Sequence, residues 1–275
     1  MDYSLLLKNF YCAHNRDIDY PDIGFHLHNE YEIYVFISGD VDYMVEQKKY
    51  PLVHGDVLLF NNKEIHKPTF LTRIPYERYV IQFNPLAIAP FHCANLDLLA
   101  CFEQRGNGEN NLIRLPQKRR EQLLTLLNPM VDTWAGREPG YEILLLSQLL
   151  QLLYFLNQEY VSCIQASSIS EPLAPPLSSI VAFIDKNLHQ DLSLDTLQKL
   201  FYINKNYLCK LFKQQTGTTI HSYIVHKRVA LAKQLLSAGH TVTETCQMCG
   251  FNDYANFIRT FKQMTGVSPA RYKNK

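Results

Sequence analysis

The spacing of apolar residues changes once along the chain. Up to about residue 85, apolar residues form short runs broken by Gly-Asp pairs, as in EIYVFISGDVDYMVEQ (32–47) and YPLVHGDVLLF (50–60). Short alternating runs with this turn chemistry are typical of antiparallel strands in a sandwich or small barrel. From residue 117 onward, apolar residues recur every three or four positions, which predicts helices. We therefore expect an α+β chain of two domains, with the strands first.

The first helical part is rich in leucine and covers segments 117–134 and 141–160. An apolar stripe runs along the second segment and comprises Leu144, Leu145, Leu149, Leu152, Leu153 and Leu156. This stripe is wider than the seam of a two-stranded coiled coil. We expect different faces of helices 117–161 to pack on the strand domain and on a second copy of the chain, forming a homodimer. Packing within one chain alone is the alternative.

A Ser- and Pro-rich stretch, SSISEPLAPPLSS (167–179), interrupts the helical pattern. This composition is typical of a semi-stiff linker between domains. We expect a first domain at 1–162, with a barrel at about 10–90, a linker at 163–178 and a helical second domain at 179–275.

Capping residues mark the helices of the last domain. Ser193 and Thr241 each precede an amphipathic segment, where a hydroxyl can accept a hydrogen bond from the first turn. Gly217 can end a helix because glycine adopts the left-handed conformation readily. A long helix is expected at about Ile220–Ser237. The apolar residues expected to be buried in the helix after Ser193 are Leu194, Leu197, Leu200 and Phe201.

One segment of this domain occurs twice. FKQQTGTTIHSY (212–223) returns forty-nine residues later as FKQMTGVSPARY (261–272). Each copy ends a unit made of a short helix, a tight turn and a second helix, which is the helix-turn-helix pattern. A single duplication is too short for a solenoid, which needs about three repeats. The chain therefore uses one small unit twice.

Charge separates the two domains. From residue 178 onward there are 13 basic and 5 acidic residues, a net charge of +8, whereas residues 1–177 hold 14 basic and 21 acidic residues, a net charge of −7. This asymmetry favours a nucleic-acid-binding part joined to a part with another task. A solvated basic helix face is the simpler explanation, and charge alone does not exclude it.

The second helix of each unit carries polar and cationic residues opposite its apolar side. These candidate DNA contacts are Lys205, Asn206, Cys209, Lys210 and Lys213 in the first unit, and Asp253, Tyr254, Ala255, Asn256, Arg259 and Lys262 in the second. Such groups can reach base edges or phosphates in a major groove. A helix of roughly 18 residues between the units would span about 27 Å. Successive major-groove faces lie about 34 Å apart, so one chain can place both helices on double-stranded DNA.

These segments resemble the DNA-binding domain of AraC-type transcription regulators. The residues that carry the resemblance are LSLDTLQKLFYINKNYLCKLFKQQTG (192–217) and, more specifically, VTETCQMCGFNDYANFIRTFKQMTGVSPARY (242–272). The resemblance implies a bacterial, sequence-specific regulator, most often an activator, that works with RNA polymerase in the cytoplasm. Tyr254 and Ala255 depart from the family, which often has Gln-Ser there, and this leaves the operator sequence open.

The motif H-x-H-x₃-E-x₆-G, formed by His26, His28, Glu32 and Gly39, resembles the first motif of cupin barrels. Metal-binding cupins carry another histidine in a second motif, and His66 stands at that place. The second motif departs from the family at Asn61, Lys63 and Phe70. If His26, His28 and Glu32 lie on one strand, their even spacing points them to the same side.

Three interpretations of this cluster compete. The first is a pocket for a small effector such as a sugar, lined by His26, His28, Glu32 and His66 with walls from Tyr34, Tyr43 and Tyr79. The second is inheritance of the fold, with these polar groups satisfied by internal hydrogen bonds. The third, ranked last, is a divalent metal site. We therefore expect no cofactor.

Several function classes find no support. The sequence lacks a P-loop, a G-x-S-x-G motif and a dinucleotide fingerprint, and so no enzyme activity is expected. Cys246 and Cys249 have zinc-like spacing without a second pair, which favours small core residues. Seven scattered cysteines fit a reducing cytosol, and no membrane span or secretory leader is expected. The competing functions are a metal-dependent cupin enzyme fused to a DNA-binding domain and an effector-free regulator controlled by a protein partner.

Overall fold

Antiparallel strands build the first part of the protein. The computed structural model describes residues 4–7, 9–20, 23–91, 93, 96–164, 171–172 and 176–273. A short helix, α1 (Ser4–Leu7), precedes the strands β1 (Tyr11–Asp17), β2 (Tyr31–Ser38), β3 (Val41–Val45), β4 (Lys48–Pro51), β5 (Asp56–Phe60), β6 (His66–Phe70) and β7 (Tyr76–Phe83). Two 3₁₀ turns (Pro85–Ala87 and Ala89–Phe91) and helix α2 (Ala100–Glu103) lead to β8 (Leu112–Arg114).

The strands form two sheets. The larger has the order β1-β7-β2-β5-β8, and the smaller has the order β6-β3-β4-β9, where β9 is Glu171–Pro172. Every pairing is antiparallel, and the turns at Gly39-Asp40 and Gly55-Asp56 are where the sequence predicts them. An isolated bridge between His26 and His66 adds the segment before β2 to the edge of the smaller sheet.

The larger sheet is buried on both faces, because the two-residue alternation of β2 and β7 places apolar side chains on each. Tyr34 and Tyr76 face the smaller sheet and belong to an aromatic core between the sheets. Ile33, Val35 and Ile81 face the other way, into a core that the following helices complete. The first domain therefore has three layers: small sheet, large sheet and helices.

The helical layer consists of α3 (Gln117–Gly136) and α4 (Tyr141–Ile164). Of the predicted leucine stripe, five members are buried within the chain, namely Leu145, Leu149, Leu152, Leu153 and Leu156. Leu144 is 51% exposed, and Ile143 and Tyr154 are exposed to a similar extent. The stripe thus packs on the larger sheet, while a second, mixed face of α4 lies on the surface. Within the described residues, no helix combines the length and apolar character needed to cross a bilayer.

The C-terminal domain is helical. Its helices are α5 (Leu177–Lys186), α6 (Leu194–Phe201), α7 (Lys205–Thr216), α8 (Ile220–Ser237), α9 (Val242–Met248), α10 (Tyr254–Thr265) and α11 (Pro269–Lys273). As the sequence predicts, Ser193 caps α6 and Thr241 caps α9. Glu244 completes a capping box with Thr241. The expectation for Leu200 is wrong: it is 51% exposed, because α6 buries Leu197 fully and ends one residue after Leu200.

Gly217 ends α7 in the left-handed conformation, with φ of 65°. It also permits a close contact with the first domain, because a Cβ atom there would lie only 2.2 Å from Lys67 Nζ. A larger residue would be strained by this positive φ, and the end of the Lys67 side chain would have to move.

The predicted linker lies largely outside the described residues, at 165–170 and 173–175. The described part of it includes Glu171–Pro172, which pairs with β4 as strand β9, and the start of α5 at Leu177.

The two domains share an apolar cluster. Phe25, Met44 and Ile65 of the first domain are buried with side chains of α5, α7 and α8. Beside this cluster, Gln47 Nε2 donates a hydrogen bond of 2.7 Å to Asp185 Oδ2. The contact is therefore both apolar and polar, and it uses the first helix-turn-helix unit and α8.

Candidate DNA-binding surface and interdomain cleft

Helix α7 exposes the face that the sequence predicts. The Asn204 side chain caps its start by accepting hydrogen bonds from the main-chain N–H groups of Asn206 and Tyr207. Leu208 and Phe212 are buried and fix the helix on the domain core. The remaining predicted residues lie on the outer side, with Lys205, Asn206, Lys210 and Lys213 exposed and Cys209 half-buried.

Sequence reasoning missed one member of this face. Tyr207 is 56% exposed in the first turn of α7, between the predicted contacts. Its position in the repeat matches Asn256, and this correspondence was the signal that could have found it. Lys205 is less free than expected, because its Nζ lies 2.8 Å from Asp195 Oδ1.

Helix α10 repeats the arrangement. Asp253 caps it by accepting hydrogen bonds from the main-chain N–H groups of Ala255 and Asn256, so this carboxylate serves the helix start. Phe257 and Phe261 are buried. On the outer side, Tyr254, Ala255, Arg259 and Lys262 are exposed and Asn256 is half-buried. An Arg259 N–H donates 3.1 Å to Asn256 Oδ1, which holds the guanidinium near the helix start.

The structure brings His26, His28 and His66 together, but along a different path than the sequence suggests. His26 and His28 precede β2, whereas Glu32 lies on it, so the prediction of a single strand is wrong. The bridge makes the arrangement: the N–H of His26 donates to the His66 carbonyl (3.1 Å), and that of His66 donates to the His26 carbonyl (3.2 Å). The ring centroids of His26 and His66 are 4.4 Å apart, and those of His28 and His66 are 4.9 Å apart.

Burial sets the protonation of this cluster. It lowers the pKa of His66 well below its ordinary value and that of His28 to about 4, since an imidazolium loses its hydration there. His26 shifts in the same direction, first through burial and then through the neighbouring His28. Burial also raises the pKa of Glu32, although Gln82 donates a 2.7 Å hydrogen bond to its Oε2. The three imidazoles are therefore neutral at physiological pH.

The predicted tyrosine walls divide between two faces of the sheet. Tyr34 and Tyr43 lie in the aromatic core between the sheets, with ring centroids 4.8 Å apart. The prediction for Tyr79 is wrong, because its odd position on β7 turns it toward the helices. There it stacks on His14 at 4.1 Å and donates 2.6 Å to Asn128 Oδ1.

A cleft of about 330 Å³ lies where the histidines meet the C-terminal domain. Its lining residues are Asn9, His26, Leu27, His28, Asn29, Glu30, His226, Val229, Lys233, Met264 and Thr265. The cleft therefore takes one wall from the first domain and one from α8 and α10. The sequence predicts the pocket inside the barrel. In α8, the one sign of a second wall is a lysine that stands among alanines and leucines.

Lys233 is the cationic member of the α8 wall and is buried. Its Nζ donates to the His28 carbonyl (2.8 Å) and to that of Asn62 (3.5 Å). Burial lowers the pKa of Lys233 to about 8. His226, about two turns earlier on α8, donates from Nδ1 to the Ser222 carbonyl at 2.7 Å.

A β-rich domain with a polar cleft, joined to a domain with two helix-turn-helix units, defines the class of two-domain transcriptional regulators. The family model "AraC-like ligand binding domain" matches residues 9–153, more than half of the chain, and "Helix-turn-helix domain" matches residues 197–275. The chain therefore belongs to the AraC family of transcriptional regulators, which confirms the resemblance seen in its sequence.

Two curated relatives agree with this assignment. The lactose operon transcription activator of Staphylococcus xylosus is 22% identical over 267 residues, covering 94% of this chain and 89% of that protein. The "Probable transcriptional regulator LumQ" of Photobacterium leiognathi is 33% identical over 92 residues, which is 33% of this chain and only 37% of LumQ. Among solved structures, ToxT of Vibrio cholerae O395, bound to (E)-4-(8-methylnaphthalen-1-yl)but-3-enoic acid, shows 15% identity and a TM-score of 0.41, covering 96% of this chain and 98% of that one.

Proposed function

We propose that this regulator binds a specific sequence of double-stranded DNA through α7 and α10, and that a small molecule in the interdomain cleft controls the binding. The observation that carries the proposal is the matched exposure of the two helices. Each buries an apolar side and presents a polar, cationic side to solvent while the first domain is docked.

The two helices would read adjacent turns of one duplex. Helix α8 separates the units and is continuous over 18 residues. At 1.5 Å per residue this gives a spacer of about 27 Å, close to the ~34 Å between successive major-groove faces. Lys210 and Arg259, which correspond in the repeat, would occupy equivalent places in the two grooves.

The effector would bind in the cleft, with polar groups toward the histidines and Lys233 and apolar surface toward Leu27, Val229 and Met264. A sugar or a related metabolite has both polar and apolar groups, which would match this mixed lining. Since both domains line the cleft, a ligand there would favour one arrangement of the domains by its differential affinity. This coupling needs no signal to pass through the barrel.

The working form would be a cytoplasmic homodimer that activates transcription with RNA polymerase. The exposed face of α4, with Ile143, Leu144, Tyr154 and Val161, supports dimerisation because these large apolar residues lie on one accessible helix. No catalytic step belongs to this proposal, and the curated relatives described above are named as regulators of transcription.

Selection of bound sequences from random DNA by the full chain, followed by footprinting, tests the central part. We expect one protected site with two half-sites about one helical turn apart. Binding that falls steeply with salt and shows no preferred sequence would contradict the proposal.

The effector is tested by thermal shift against sugars and small metabolites. A ligand at a hundred times its dissociation constant should stabilise the protein by about 2.7 kcal/mol. His226→Ala, in the α8 wall, should remove this shift, whereas His189→Ala, on an exposed loop, should retain it. Equal shifts in both variants would place the ligand elsewhere.

A further inference from the structure

Three histidine side chains converge at the wall of the interdomain cleft. His26, His28 and His66 each offer a ring nitrogen, and these three atoms lie within 4.8 Å of one another. His26 and His28 line the cleft, while His66 is fully buried behind them. Among the described residues, this is the group whose donors meet in the manner of a metal site.

His66 carries an unsatisfied buried atom in this cluster. Its Nδ1 lies 3.0 Å from the Glu64 carbonyl, which only accepts hydrogen bonds, so Nδ1 carries the proton. The lone pair is then on Nε2, which is buried and has no hydrogen-bond partner within the described part of the chain. A buried polar atom without a partner costs free energy and calls for an explanation.

His26 has the same tautomer for the same reason. Its Nδ1 lies 3.1 Å from the Gly24 carbonyl, which leaves a lone pair on Nε2. His28 has a carboxylate partner, since its Nε2 lies 3.1 Å from Glu32 Oε2. Histidines that bind metals typically donate their other N–H to a carbonyl or carboxylate in this way.

The supports of these histidines are themselves fixed. Glu64, whose carbonyl orients His66, is buried and forms a two-pronged ion pair with Arg105, at 2.5 Å and 2.8 Å. The N–H of Gly108 also donates to Glu64, at 2.7 Å. Gln82 holds Glu32 on the opposite side. Internal hydrogen bonds alone do not explain this cluster. The supporting carboxylates of Glu64 and Glu32 are paired, whereas His66 Nε2 has no partner within the described residues.

We propose that His26, His28 and His66 bind one divalent transition-metal ion at the wall of the cleft. Neutral imidazoles suit Zn²⁺, Ni²⁺, Cu²⁺ and Fe²⁺, whereas Mg²⁺ and Ca²⁺ prefer oxygen donors. Zn²⁺ is the assigned ion among these because three histidines leave a fourth position for water or another ligand. Glu32 acts as the positioning residue of His28. A metal stands last among the three interpretations because a DNA-binding domain is fused to the barrel, and that fusion does not bear on the ring nitrogens of this cluster.

Direct metal binding tests this inference without reference to DNA. The full chain is stripped with a chelator, reloaded with Zn²⁺ against a competing chromophoric indicator, and analysed for bound metal after gel filtration. We expect one Zn²⁺ per chain. His26→Asn, at the half-buried rim, should weaken binding by at least about 100-fold, and Glu32→Gln by about 10- to 100-fold. His189→Gln, an exposed histidine elsewhere, should leave the affinity unchanged.

Cobalt provides a readout that does not depend on how the variants fold. Co²⁺ added to the stripped wild type should produce visible absorption bands of a histidine-ligated ion, and Zn²⁺ should abolish them. No stoichiometric metal and no such bands would overturn the proposal. So would binding that His26→Asn and Glu32→Gln leave intact, because the ion would then occupy another place. DNA binding by the stripped protein is a separate result and bears only on the proposed function.

Discussion

Lys227 Nζ on α8 lies 2.5 Å from Glu46 Oε2 at the end of β3, and this ion pair joins the two domains. The same Nζ is 3.6 Å from Asp185 of α5. Asp185 in turn accepts a 3.0 Å hydrogen bond from Tyr223, and the N–H of Ile65 donates 3.0 Å to Glu46 Oε1. The ammonium group of Lys227 thus pairs with one carboxylate from each domain.

The pH dependence of stability should report on Glu46. Burial raises its pKa from 4.5 to about 7, although Lys227 acts in the opposite direction. The folded chain therefore holds this proton more tightly than the unfolded chain, and the free energy of unfolding should fall as pH rises from about 4.5 to 7. The total contribution is about 3 kcal/mol, at ~1.4 kcal/mol per pKa unit.

The measurement is urea unfolding of wild type and Glu46→Gln between pH 4.5 and 7.5. Relative to the variant, wild type should lose stability with rising pH and level off above 7. Comparison with the variant is necessary, because the buried histidines have lowered pKa values and contribute the opposite slope. A constant difference between the two proteins would contradict the prediction.

Arg259→Ala should weaken binding to the selected DNA site by about 1–3 kcal/mol and relax the preference at one base pair. The reason is that its exposed guanidinium lies on the outer side of α10 and can pair with a guanine edge. Competition with point-changed sites at fixed salt measures both effects. Lys118→Ala, an exposed cation on α3, is the matched control. A uniform loss on every sequence would instead make Arg259 a phosphate contact.

Leu144→Glu should shift the proposed dimer to monomer. The side chain is 51% exposed on α4, and burying a leucine in an interface contributes about 1.5–3 kcal/mol, so the dimer dissociation constant should rise by roughly 10- to 100-fold. Sedimentation equilibrium gives this constant. Leu71→Glu, a 56% exposed leucine outside the helices, serves as the control. If both variants stay dimeric, α4 is not the interface.

Thiol chemistry should separate the cysteines by burial. In a Cys163→Ser background, Cys93 should react rapidly with a thiol reagent at pH 8, because it is exposed. Burial raises the pKa of Cys249 to about 12, so its reactive thiolate is on the order of 10⁻⁴ of the total at pH 8. Cys246 and Cys249 should react only on unfolding. Rapid reaction in the folded protein would contradict their placement in the core.

The helical domain could be predicted closely from its sequence because its signals are local. Ser193, Thr241 and Gly217 act within one turn of the helix they begin or end, and α8 has the predicted bounds Ile220–Ser237. The repeat likewise made it possible to predict which residues lie on the outer faces of α7 and α10. Leu200 shows the limit, because a three- to four-residue period does not say where a short helix stops.

The candidate cleft could not be predicted because its walls are distant in sequence. Lys233 and His28 are 205 residues apart, and only their packing brings them together. Tyr79 was misplaced for another reason. Strand β7 carries apolar side chains on both faces, such as Val80 on one and Ile81 on the other, so its alternation does not tell which residues face the aromatic core and which face the helices.

The unbroken length of α8 also fixes the angle of α10 around the α8 axis relative to α7. Each residue of an α-helix turns by about 100° and advances 1.5 Å, so one inserted residue would rotate α10 around the α8 axis relative to α7. If the residue were inserted between Lys227 and Lys233, it would move Lys233 away from the His28 carbonyl while Lys227 stayed in place. The helical register between the two proposed half-sites on DNA and the fit of the two domains thus both depend on the number of residues in α8, and changing that number would disturb both at once.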